Sequence, residues 1–396
     1  MREPIITSLL DQDYYAFTMG NVAYCQFPDM HVKYKFKLRN KGGVDWTLKE
    51  RMDILDELEK WCDLSFTEAE IGYLESQNIL DRSYLEFLSK FKPNFNHLDF
   101  DAPGNSRDLN IEVEGPWCQT KFWELAVLPI VNEVYFRRFS TSDGRPPKSV
   151  EAEQTLMDKI AMANKARMWW ADFGTRRRFS RRHQEMCVRT AVENGETFVG
   201  TSNVALAMKY NVKPIGTMAH EYLQVGQAIA HPLDAQKEML QRWCNQYRGN
   251  LGIALTDIVG VDAFLKDFDL YFAKLYDGVR HDSGDPYWWA DKMITHYRNL
   301  GIDPMTKTLV FSDGLNFPLA AEIHGKYKDI IRTSFGIGTN FTNDILGLTP
   351  LQIVMKIIEV NGRPVAKIPD SPGKGMCEDE DYIKYLMSVH NIGIIS

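Results

Sequence analysis

Long apolar runs are missing from this chain of 396 residues. Without a tract of about 18 apolar residues no ordinary membrane-spanning helix is expected. The opening Met1–Tyr15 has neither the apolar stretch nor the small-residue cleavage site of a secretory signal, so a cytoplasmic protein is expected. Cysteine is sparse: Cys25, Cys62, Cys118, Cys187, Cys244 and Cys377 are irregularly spaced and contain no C-x-x-C pair. A structural zinc or a redox motif is therefore not expected, and the thiols read as reduced and mostly buried. A basic balance is missing too, since the net charge of −7 argues against a general nucleic-acid binder. There is no fixed-period repeat, no low-complexity stretch, no Walker A pattern and no G-x-G-x-x-G, which removes solenoids, common ATP hydrolases and Rossmann enzymes.

What is present is a hydrophobic content of 44%, enough for a substantial core. At roughly 150 residues per domain the length allows two or three domains. Lys33–Leu38 alternates polar and apolar residues as a half-exposed strand does, Leu48–Glu75 has helical periodicity, and Leu109–Val113 reads as a strand stopped by Gly115-Pro116. From about Met168 the rhythm changes to short apolar strands ending in small or polar residues: Trp170–Gly174, Thr197–Thr201, Pro214–Thr217, Ile253–Asp257, Asp277–Arg280, Leu309–Asp313 and Ile331–Gly336. Repeated strand–loop–helix units favour a parallel sheet with its site at the carboxyl ends of the strands. Seven strands suit a barrel, although a doubly wound open sheet fits the same pattern. Leu351–Ile368 reads as a hairpin around Asn361-Gly362 that packs back on the N-terminal part. The expected division is an α+β domain over 1–135, an irregular α/β barrel over 136–345, and C-terminal strands and helix over 346–396 that pack on the first domain.

Several clusters could carry chemistry. Gly200–Asn203, Ser312–Asn316 and Phe335–Asn340 are glycine-rich strand ends able to cradle a phosphate, though each alone is more often a tight turn. Arg280–Pro286 combines a cation, an imidazole and the carboxylates of Asp282 and Asp285, candidates for Mg²⁺; its bland reading is a turn capped by Asp and Pro. His220 sits just past a short strand, where Glu221 or Glu185 could orient it. Five arginines crowd Arg176–Arg182, either an anion site or a solvated helix face.

Taken in order, these segments resemble the nicotinate phosphoribosyltransferase family. The resemblance runs from Asp13–Met19 through Asp172–Arg176, Gly200–Asn203, Gly216–Glu221, Arg280–Pro286 and Phe311–Asn316 to Phe335–Asn340. It implies an irregular, incomplete α/β barrel joined to an N-terminal α/β domain, usually as a homodimer with composite sites. It implies nicotinic acid and phosphoribosyl pyrophosphate as substrates, Mg²⁺ as cofactor and ATP as co-substrate. His220 would be the phosphorylated histidine, with Asp282 and Arg280 beside it. Tyr15, from the second subunit, and Phe173 would sandwich the pyridine, with Arg176 near its carboxylate. Asp313, Gly314, Gly336, Gly338 and Thr339 would hold the 5′-phosphate. Ser202 stands where nicotinamide-using relatives carry an aspartate, which favours the acid over the amide. The alternatives are a nicotinamide phosphoribosyltransferase and a sugar-phosphate-binding barrel without this activity.

Overall fold

A computed structural model describes residues 3–40, 43–101, 109–141, 144–370, 375 and 377–393. The alternating segment forms strand β1 (His31–Leu38), every second side chain of which is buried. It is followed by β2 (Leu98–Phe100) and β3 (Ile111–Pro116). Strand β3 continues through Gly115, later than the expected stop, and ends on Pro116. The helical stretch after Leu48 is two helices, Leu48–Cys62 and Glu68–Ser76. Each starts with a reciprocal capping box, Thr47 with Glu50 and Thr67 with Glu70, a local signal that apolar periodicity cannot register.

The second half supplies β4 (Trp170–Asp172), β5 (Phe198–Thr201), β6 (Lys213–Pro214), β7 (Ile253–Leu255), β8 (Gly278–His281), β9 (Thr308–Phe311) and β10 (Arg332–Ile337). They pair in parallel in the order β6-β5-β4-β10-β9-β8-β7, so the sheet curls but β6 and β7 remain its two edges. The gap between them is spanned by side chains instead. Thr217 Oγ1 donates to the Ile253 carbonyl at 3.0 Å, and Arg280 Nη2 donates to that of Met218 at 3.3 Å. The incomplete barrel is thus the architecture expected.

The chain then returns. β11 (Ile353–Val360) pairs antiparallel with β1, and β12 (Arg363–Pro364) completes an antiparallel sheet in the order β12-β11-β1-β3-β2. The C-terminal helix Glu380–His390 comes after those strands. It lies against the barrel helix Pro232–Tyr247, and Tyr382 Oη donates to Gln227 Oε1 at 3.1 Å. One continuous core joins sheet and barrel. At its middle, helix Tyr14–Gln26 is buried on nearly all sides from Tyr14 to Ala23, as an apolar helix without a polar face must be. Among the described residues no helix is long and apolar enough to cross a membrane.

Candidate active site

The carboxyl ends of β7 and β8 bring Asp257 and Asp282 towards His220, the first residue of helix His220–Ile229. His220 Nε2 lies 2.8 Å from Asp257 Oδ1 and 3.6 Å from Asp282 Oδ2. Neither expected partner orients it. Glu221 turns the other way and accepts from Tyr34, Trp117 and the buried Lys121, while Glu185 pairs with Lys209 and Tyr210. Adjacent helical residues point about 100° apart, so Glu221 cannot serve its neighbour's ring.

Lys367, from the segment after β12, completes the cluster at 2.7 Å from both His220 Nε2 and Asp257 Oδ2. Ser283 Oγ also donates to Asp257 Oδ2, at 2.6 Å. Burial, reinforced by the Lys367 charge, pushes the His220 imidazole down to about 4. Burial opposes ionisation of Asp257, but His220 and Lys367 hold it well below the ordinary carboxylate range. The ring is therefore neutral and the carboxylate ionised at neutral pH, the state in which a ring nitrogen keeps a lone pair.

A second cluster gathers around Arg176, in the short 3₁₀ turn Thr175–Arg177 after β4. Its guanidinium is 3.5 Å from Asp13, 3.6 Å from Glu124 and 5.6 Å from the centre of the Tyr15 ring. Tyr15 Oη donates to Glu124 at 3.1 Å, and Lys121 Nζ stands 5.1 Å over the same ring. Tyr15 thus reaches the Arg176 cluster of its own chain. Helix Tyr14–Gln26 is tied there by the backbone, Tyr14 N–H donating to the Ser202 carbonyl at 2.7 Å. Ser202 Oγ donates to Asp13 Oδ1 at 2.6 Å. A carboxylate does stand at this position, supplied by Asp13; burial pushes its pKa up against the pull of Arg176. Lys356 on β11 also faces Glu124, at 3.9 Å, and burial lowers it to about 8.

Phe173 lies over Gly336: a Cβ there would collide with the Phe173 ring. Gly336 is therefore a packing glycine inside β10. Gly200 is similar, since a Cβ would meet the Lys213 carbonyl of the neighbouring strand. Gly314, at φ +59°, has open space above it, and Asn340 Nδ2 ties its loop to Gly338-Thr339 by donating to the Leu315 carbonyl at 2.7 Å. Asp313 begins this loop. Asp285 caps helix Pro286–Asn299, Oδ1 accepting from Trp288 N–H at 2.7 Å, so the bland reading holds for it. His220, Asp257 and Asp282 offer donor atoms within 4.8 Å of one another. Mg²⁺ prefers oxygen and keeps waters, and Asp257 is already saturated at 1% exposure. Asp282, with 31% of its side chain exposed, is the carboxylate that fits a hydrated Mg²⁺.

Asp257 was visible in the sequence at the end of the Ile253–Asp257 strand but carried no motif to single it out. Lys356, Lys367, Asp13 and Glu124 come from outside the strand–loop–helix units, and spacing alone offered no signal for them.

Comparison with known proteins agrees across the chain. The model of the nicotinate phosphoribosyltransferase (NAPRTase) family matches residues 168–394, and that of the NAPRTase N-terminal domain matches residues 10–132. Nicotinate phosphoribosyltransferase of Acinetobacter baumannii is 47% identical over 401 residues, with 98% of each chain covered. That of Neisseria meningitidis serogroup B is 46% identical over 397 residues, with the same coverage. Among solved structures, nicotinate phosphoribosyltransferase of Vibrio cholerae superposes with a TM-score of 0.91 at 36% identity, covering 98% of this chain and 94% of that one. The Porphyromonas gingivalis enzyme gives 0.92 at 32% identity, covering 98% and 100%.

Proposed function

This chain belongs to the nicotinate phosphoribosyltransferase family, enzymes of pyridine nucleotide biosynthesis, and we propose that the two clusters divide its reaction between them. Around Arg176, nicotinic acid is held by its carboxylate, with the ring between Tyr15 and Phe173. Its nitrogen attacks the anomeric carbon of phosphoribosyl pyrophosphate as the carbon–oxygen bond to pyrophosphate breaks. The products are nicotinate mononucleotide and pyrophosphate. Arg280 and Lys356 supply positive charge for the departing oxygens, and Asp13 and Glu124 pair with the partly exposed Arg176 before substrate arrives. The loops of Asp313-Gly314 and Gly338-Thr339 suit the 5′-phosphate. Asp282 is the residue for Mg²⁺, which when bound neutralises pyrophosphate charge.

Around His220 the chemistry is phosphoryl transfer from ATP. With the Nε2 proton held on the ring by the Asp257 carboxylate, the Nδ1 lone pair attacks the γ-phosphorus and ADP leaves. Water later breaks the phosphorus–nitrogen bond and releases phosphate. The observation that carries this reading is the 2.8 Å contact of a neutral, buried His220 with Asp257.

Pyrophosphate release measured with nicotinic acid or nicotinamide, each with and without ATP, tests the reading. Release with the acid, stimulated by ATP, is expected. Release with nicotinamide alone would transfer the reading to the amide-using alternative, and ATP stimulation that survives His220→Asn would remove the phosphohistidine.

A further inference from the structure

The arginine run extends beyond the site. Arg176 joins the barrel mouth, Arg177 donates to the Ile353 carbonyl and to Gln352, and Arg178 is buried in a bidentate pair with Asp11 at 2.6 and 2.7 Å, which leaves Arg181 and Arg182. They open helix Arg181–Asn194 as Arg-Arg-His, with no acidic residue in its first turn. That is the wrong sign for a helix start, answered in part by the Glu133 carboxylate, which accepts from Arg181 N–H at 2.8 Å, and by the Ser180 hydroxyl, which accepts from His183 N–H at 3.2 Å. Two cations there are tolerable only if anions answer them.

A cleft of about 430 Å³ lies over this helix end, lined by His183 and four arginines, Arg145, Arg181, Arg182 and Arg189, against the three carboxylates of Glu3, Glu153 and Glu185. Ser149, first residue of the 18-residue helix Ser149–Ala166, also lines it, and that helix has no side-chain cap on its N-terminus. Two helix starts therefore face one cleft. Arg182 and Arg189 stand seven positions apart on one helix face. His183 is only 6% exposed, and its Nδ1 has no hydrogen-bond partner among the described residues. Glu3 answers part of the charge, its carboxylate lying 2.7 Å from Arg181 and 3.1 Å from Arg182. None of His220, Asp257, Arg280 and Asp282 lines the cleft.

We propose that this cleft is a second anion site, for a small phosphate-bearing molecule that displaces the Glu3 carboxylate from Arg181 and Arg182. Tetrahedral oxyanions suit it better than a lone carboxylate, because several guanidinium forks approach from different sides. The space admits a phosphorylated sugar or nucleotide as well as free phosphate. The site is placed to matter to catalysis: helix Arg181–Asn194 follows directly on the segment bearing Phe173 and Arg176.

Calorimetric titration of the full chain with inorganic phosphate, pyrophosphate and ATP tests this, with citrate as the carboxylate control. Wild type should show one binding class beyond the catalytic site. Arg182→Ala/Arg189→Ala should weaken that class by about tenfold while leaving the substrate KM values in place, and Glu3→Gln should tighten it. Ranking the three phosphates separates free phosphate from a nucleotide as the preferred ligand. Undiminished binding in the double variant, or citrate binding as tightly as phosphate, would overturn the site. Should the double variant not fold, tungstate soaked into wild-type crystals decides: an anomalous peak between Arg181 and Arg182 supports the site, and a peak confined to the barrel mouth refutes it.

Discussion

Lys367 places its ammonium 2.7 Å from Nε2 of His220, across 147 positions of sequence. The same nitrogen is 2.8 Å from Asp257, so one ring atom faces a donor and an acceptor at once. The competition decides which ring nitrogen keeps the lone pair. Asp257 draws the proton onto Nε2 and frees Nδ1; an amide in its place would donate to Nε2 and move the proton to Nδ1. Asp257→Asn should therefore cut ATP-dependent, acid-labile phosphate incorporation by about 10⁴-fold, the size of a wrong-tautomer defect. Lys367→Met should lower it less, by about a hundredfold, and shift its acid limb to higher pH, because a cation opposing His220 protonation is gone. Glu221→Gln is the contrasting control. It breaks a buried pair with Lys121 at 3.1 Å, and should cost about 3–5 kcal/mol of stability with ATP coupling retained in the folded fraction. Urea midpoints beside phosphorylation rates distinguish the two kinds of loss.

Tyr15 contacts Arg176 within one chain, and this has a kinetic consequence. Tyr15→Ala and His220→Asn, each impaired alone, should remain impaired when mixed if the Tyr15 that serves a site belongs to the same chain. Recovery of ATP-stimulated activity on mixing would show that Tyr15 crosses between chains. Tyr15→Ala alone should raise the nicotinate KM and leave that for phosphoribosyl pyrophosphate near its wild-type value.

The barrel was legible because parallel strands buried on both faces read as short apolar runs, and polar residues at their ends have a reason to be there. His220, Asp282 and Arg280 stood out in this way. Lys356 and Lys367 did not, because a returning strand is placed by long-range pairing that local pattern cannot encode; β11 joins Lys356 to Lys35 across more than 300 residues. The glycines were legible as necessary but not in purpose. Gly314 is a turn at positive φ, whereas Gly336 is small so that Phe173 can lie on it. Glu221 misled for the opposite reason, adjacency in sequence being a poor guide to adjacency around a helix.

Gly336→Ala turns that packing relation into a test. The added methyl would collide with the Phe173 ring, so the ring must leave its place over the strand. Overpacking of this kind costs about 1–3 kcal/mol. The nicotinate KM should rise with little change in the KM for phosphoribosyl pyrophosphate. An equal rise in both would instead place Gly336 in the phosphate cradle.

His183 offers a pH test independent of catalysis. Burial, with Lys159 nearby, lowers its pKa to about 4, against an ordinary value of 6.5. Below 6.5 the unfolded chain takes up a proton that the folded chain refuses, so stability is lost as pH falls from 6.5 through 4. The full loss from this one group is about 3 kcal/mol. Asp172 works the other way: burial raises it to about 6, and its ionisation penalty is relieved as pH falls through that value. Total stability therefore mixes opposing slopes, and the difference between His183→Gln and wild type isolates the histidine. Urea unfolding should show a difference that is flat above pH 7 and moves by about 3 kcal/mol in the variant's favour between pH 6.5 and 4. A difference constant across that range would mean that His183 protonates freely in the folded protein, which its burial beside Phe179 does not allow.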